Sequence, residues 1–116
     1  MNYWETKYGT FSIEQIEKYK TILHKRIFWL LLYKDPDTSW KYENVDYKLC
    51  FHTLMKQLDG FNELIGRPSI MVELMSVLEA SYKETIKESF CYPDFRRLIL
   101  QAESLVDKIN IETNKL

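Results

Sequence analysis

The sequence predicts an all-α, single-domain four-helix bundle. Three observations carry that expectation. Apolar residues recur at helical spacing over four separate stretches, the few glycines and prolines punctuate them, and no strand candidate is longer than the loop Ser39 to Tyr42. At 116 residues the chain is one domain by length and can bury roughly two thirds of its unfolded surface.

The first helix is expected over 13–34. Ser12 reads as its N-cap, with Gln15 placed to reciprocate in a capping box and Phe11 and Ile16 as a hydrophobic staple. Ile13, Ile16, Leu23, Ile27, Leu30 and Leu31 form one stripe, and the helix ends before Asp35-Pro36, because the residue ahead of a proline is driven out of helical geometry. The second helix, 45–65, has Asn44 or Asp46 as its cap and Tyr47, Cys50, Phe51, Leu54, Leu58, Phe61 and Ile65 on its buried face. Gly60 within it costs about 1 kcal/mol against alanine and marks a kink or a close helix crossing; Gly66 supplies a left-handed stop.

The third helix, 68–90, opens at Pro68 and turns Met71, Leu74, Met75, Leu78, Tyr82 and Ile86 inward, with Lys83-Glu84 and Lys87-Glu88 as a solvated end. The fourth, 93–109, opens at Pro93 with Asp94 at its positive end, and carries Phe95, Leu98, Ile99, Ala102, Leu105, Val106 and Ile109 inward. Turns of two or three residues make helices two, three and four antiparallel neighbours, and the longer link from Asp35 to Asn44 lets the first helix close the bundle. The bundle domain spans 13–110, preceded by an aromatic N-terminal arm (1–12) and followed by a frayed tail (111–116).

Bulk composition narrows the function classes. Sixteen basic residues against 17 acidic give a net charge of −1, so nothing selects for nucleic acid; such a role would need a face gathered from Lys18, Lys25, Arg26, Arg96 and Arg97. The first ten residues lack a basic start and an apolar core, so no secretory leader is expected. The longest apolar run, Ile27 to Tyr33, is seven residues against the ~20 that span a bilayer, so no membrane insertion is expected. Cys50 and Cys91 form no CxxC motif, which points to a reduced, cytoplasmic protein, and a bacterial source is expected alongside.

Chemistry-bearing patterns are sparse. Two histidines and two cysteines fall short of a four-ligand zinc site, paired Glu-x-x-His motifs are missing, and there is neither Gly-x-Ser-x-Gly nor a glycine-rich phosphate loop. No metal, cofactor or catalytic residue is therefore assigned. The alternative is a small helical enzyme, or a nucleotide- or metal-binding bundle, using Glu14, Glu17, His24 and His52. Arg96-Arg97 beside the fourth helix's start suits an acidic partner or a phosphate, although such a pair is more often plain surface charge.

The run Ile27-Phe28-Trp29-Leu30-Leu31-Leu32-Tyr33 is apolar all round. Phe28, Trp29 and Leu32 fall opposite the core stripe, on a back face that earlier turns fill with Glu14, Glu17, Lys18, Thr21 and Lys25. Something must cover it: the arm (Tyr3, Trp4, Tyr8), the loop residues Trp40 and Tyr42, or another protein. Five of the 17 aromatic residues (Tyr3, Trp4, Tyr8, Trp40 and Tyr42) lie outside the helices, and Trp and Tyr favour interfaces. The expectation is a non-enzymatic protein-interaction or regulatory module, with Trp4, Phe28, Trp29, Leu32, Trp40 and Tyr42 as its contact set and a homodimer as one form. Bacteriocin immunity proteins, phage-encoded inhibitors and regulatory adaptors include bundles of this size, an analogy of fold alone.

Overall fold

In the computed structural model, which describes residues 3–6 and 9–109, the chain folds as a four-helix bundle with a short hairpin at its N-terminal side. The tail expected to fray over 111–116 lies outside the described residues. Strands β1 (Tyr3–Thr6) and β2 (Gly9–Ser12) pair antiparallel, with Trp4 opposite Phe11 and Thr6 opposite Gly9. This corrects the expectation of an irregular arm. Tyr, Trp, Thr and Phe suit a pleated ribbon, and Gly9 adopts φ 122°, a region side-chain-bearing residues avoid. Four residues per strand are too few for alternation to stand out in the sequence.

Helix α1 (Ile13–Lys34) begins as its sequence dictates. The Ser12 hydroxyl accepts from the Gln15 N–H at 3.1 Å, and Gln15 Oε1 accepts from the Ser12 N–H at 2.8 Å, closing the capping box. Helix α2 (Tyr47–Leu64) is capped by Asp46, whose carboxylate accepts from the Leu49 N–H. It ends in a left-handed reversal through Gly66 (φ 87°) and Arg67 (φ 58°), where the Arg67 N–H reaches the Asn62 carbonyl at 2.8 Å. The glycine stop was readable; the left-handed arginine after it was not.

Helix α3 (Ser69–Thr85) stops five residues short of the expected Phe90, and the link to α4 (Tyr92–Asp107) is six residues long. Ile86, expected inside, is 66% exposed, while Glu84, expected in solvent, is buried. The reason is polar. Glu84 Oε2 accepts from Lys87 Nζ at 2.7 Å and Oε1 accepts from the Cys91 N–H at 3.2 Å, so this carboxylate caps α4 from the preceding helix. Thr85 meanwhile donates its hydroxyl to the Tyr82 carbonyl at 2.6 Å, satisfying a helix-end acceptor.

Ring and polar contacts fix the directions. Tyr33 meets Tyr47 while Tyr19 meets Phe61, so α1 and α2 are antiparallel. Phe51 stacks on Tyr82, setting α2 against α3 in the same sense. His24 meets Glu103 and Tyr92 meets Asp35, which runs α4 against α1. The topology is up-down-up-down. Its core is one cluster in which Phe51, Leu58, Leu78, Phe95 and Ile99 are fully buried. No described helix is long and apolar enough to cross a membrane.

Candidate functional site

The end of the bundle where α1 meets the following loop carries the densest aromatic surface. The loop is ordered by its own polar groups. Asp35 Oδ1 accepts from the Asp37 N–H at 2.8 Å, Thr38 Oγ1 donates to the Leu32 carbonyl at 2.7 Å, and Trp40 Nε1 donates to the Asp37 carbonyl at 3.2 Å. These bonds turn Ser39–Tyr42 into one 3₁₀ turn and fold Tyr42 back onto α1. Its ring meets Trp29 edge-on at 5.6 Å and Tyr33 at 5.4 Å.

From there the rings continue inward. Tyr33 touches Tyr47 at 6.5 Å, Tyr47 stacks on Tyr82 at 6.4 Å, and Tyr82 stacks on Phe51 at 4.6 Å. Surface aromatics are therefore packed in series with the core and are held in place by it. Lys34 Nζ lies 4.6 Å over the Tyr47 ring and Lys41 Nζ 5.4 Å over Trp40, so the ammonium groups seat on ring faces. Together Tyr33, Trp40, Tyr42, Tyr47, Phe90 and Tyr92 wall an open bowl of about 650 Å³.

Ionisation in this bowl is suppressed. Burial pushes the Tyr47 phenol well above its ordinary range, and its hydroxyl is enclosed without a hydrogen-bond partner among the described residues. Burial, followed by donation to Asp35 Oδ2 at 3.0 Å, pushes Tyr92 up to about 12. Both phenols therefore stay protonated at neutral pH.

The chain's own loop covers only part of the apolar run. Leu32 and Tyr33 are half-buried, but Phe28 remains 43% and Trp29 42% exposed, and Trp40 is 66% exposed. The expectation that the run is shielded on every side is thus corrected: the fold covers one flank and leaves the outer face open. The hairpin plays no part there. Trp4 pairs through its backbone with Phe11 at the opposite end of α1, roughly 25 Å from Trp29 along the helix axis at 1.5 Å per residue.

The remaining candidates are dispersed. His24 Nε2 lies 3.3 Å from Glu103 Oε2 and 3.6 Å from Asp107 Oδ1 on α4, whereas His52, on α2, packs beside Phe51 and Tyr82. Glu17 and His24 share one depression; Glu14 is exposed one turn away, and His52 is not among the residues lining it. Among the described residues no group of three or more His, Cys, Asp or Glu side chains is placed to hold a metal ion. Arg96 and Arg97 are exposed on α4, Arg97 lies 3.6 Å from Asp94, and the helix-end position that would suit an anion already holds the Glu84 carboxylate. A scan of protein-family models found no match to the chain, and searches of curated proteins and of solved structures found no similar protein.

Proposed function

We propose that this protein is a non-enzymatic helical interaction module that acts by docking another protein on the aromatic end of α1. The observation that carries this reading is the exposure of Phe28, Trp29 and Trp40 on α1 and the loop that follows it, where Tyr42 joins Trp29 to the series of rings that reaches the core. Exposed aromatics on a rigid support are the hallmark of binding hot spots, because little side-chain freedom is lost on contact. Leu32 and Tyr42 complete the contact set. The two unbridged, half-buried cysteines, Cys50 and Cys91, support a reducing compartment such as the cytoplasm.

Photo-crosslinking tests the reading. A benzophenone side chain is placed at Phe28 or Trp40 in the cells that make the protein, and at Val72 and Ile86, as exposed as Trp40 and more exposed than Phe28, as controls elsewhere. Discrete adducts at 28 and 40, absent from 72 and 86, are expected. Adducts at all four positions, or at none, overturn the proposal. A second copy of the chain is one partner this surface admits, and a mass increase with concentration in sedimentation, lost in Trp29→Glu, identifies that case.

A further inference from the structure

Two depressions lie along the seam between α1 and α2. Near the hairpin, Gln15, Ile16, Tyr19, Phe61 and Leu64 line a depression of about 380 Å³. Toward the aromatic end, Arg26, Trp29, Leu49, Thr53 and Gln57 line a second of about 390 Å³. Ile22, 38% exposed, lies on α1 between them. The α1 row from Gln15 to Tyr33, which borders both depressions, is roughly 27 Å long at 1.5 Å per residue, the length of about five helical turns.

Three features say what fits it. The floor is apolar, with Leu49 left 63% exposed. The charge is in positive excess: neither depression is lined by an acidic side chain, Arg26 is the one charged residue in them, and by helical spacing Lys18, Lys25 and Lys56 outnumber Glu14 and Glu63 on the flanking rows. None of these four cations makes an ion pair among the described residues. Finally, Gly60 borders the groove without steric need. A Cβ there would meet nothing within 4 Å, which corrects the expected close crossing, and the residue's visible consequence is a lower wall.

We infer that this groove binds an acidic amphipathic helix of a partner protein, its apolar stripe seated between α1 and α2 and its carboxylates on the cationic rim. The inference rests on the reading of the chain as an interaction module and adds the chemistry of its partner. A second copy docked symmetrically by this face would set Arg26 and three lysines against their own counterparts, so like charge disfavours it. A nucleic acid would use the rim but waste the apolar floor.

The test uses a fluorescent helical peptide of about 18 residues, matched to the groove at 1.5 Å per residue, with leucine at helical spacing and glutamate elsewhere. A twin carries lysine for every glutamate, and a single-stranded oligonucleotide serves as polyanion control. Fluorescence polarisation is expected to favour the acidic peptide by at least about tenfold, with Arg26→Glu weakening it about tenfold and improving binding of the lysine twin. Gly60→Phe, which fills the groove from an open position, is expected to abolish binding with an unchanged circular-dichroism melt; Leu49→Ser checks the floor if that variant unfolds. Equal binding of the two peptides, full competition by the oligonucleotide, or wild-type binding in Arg26→Glu and Leu49→Ser overturns the proposal. Should it fall while crosslinks at positions 28 and 40 persist, the interaction module stands without the groove; loss of those crosslinks removes the module itself.

Discussion

Glu84 shows how one side chain can decide where two helices end. Its carboxylate is held below the ordinary glutamate range, first by the Lys87 hydrogen bond and then by the Cys91 N–H. A carboxyl lowered on folding contributes stability in full above its ordinary value of 4.5, and that contribution fades as pH falls through the lowered value. Glu84→Gln is therefore expected to lower the melting temperature at pH 7, and the gap from wild type should narrow steadily below pH 4.5. A gap that stays constant down to pH 3 would show that the carboxylate's charge is not what matters. Glu103 is the opposite case. Burial raises it despite the neighbouring His24, and its Oε1 lacks a partner among the described residues, so its ionised form opposes folding near neutrality.

At the scale of elements, the helices differ in what holds them. The start of α1 is fixed locally by the Ser12–Gln15 capping box, whereas α4 has no side-chain cap of its own and borrows one from α3. Helix α2 carries an exposed glycine in its interior with helical backbone and open space around it. Gly60→Ala is expected to stabilise the fold by about 0.5–1 kcal/mol, through lost freedom of the unfolded chain alone, and urea titration measures it directly. A destabilised Gly60→Ala variant would mean that the backbone at this position is strained, and would remove the groove argument's steric premise.

On the scale of the whole molecule, the bundle is asymmetric in its seams. Tyr92 to Asp35 and His24 to Glu103 tie α4 to α1 through polar contacts, whereas ring contacts, Tyr19 to Phe61 and Tyr33 to Tyr47, join α1 to α2. Stability accordingly resides in the shared core. Leu58→Ala, at a fully buried position, is expected to cost about 2–5 kcal/mol in denaturant unfolding, and a loss below about 1 kcal/mol would contradict a tightly packed centre. Unlike the core, the candidate surface was only half legible. Phe28, Trp29 and Leu32 could be placed opposite the core stripe by counting residues, but the groove depends on how far α2 stands from α1, which no single helix encodes.

Apolar spacing, the Ser12 and Asp46 caps, and the Asp35-Pro36 and Gly66 stops determined four helices and their inward faces, because each depends on residues within one or two turns. The short hairpin, the early end of α3 and the inward turn of Glu84 were decided only in the folded molecule. Each rests on a partner supplied from further along the chain: Phe11 across from Trp4 for the hairpin, and Cys91, seven residues beyond Glu84, for the other two. Local hydrogen bonding writes the helices into the chain, whereas which surfaces remain open is settled by packing between helices.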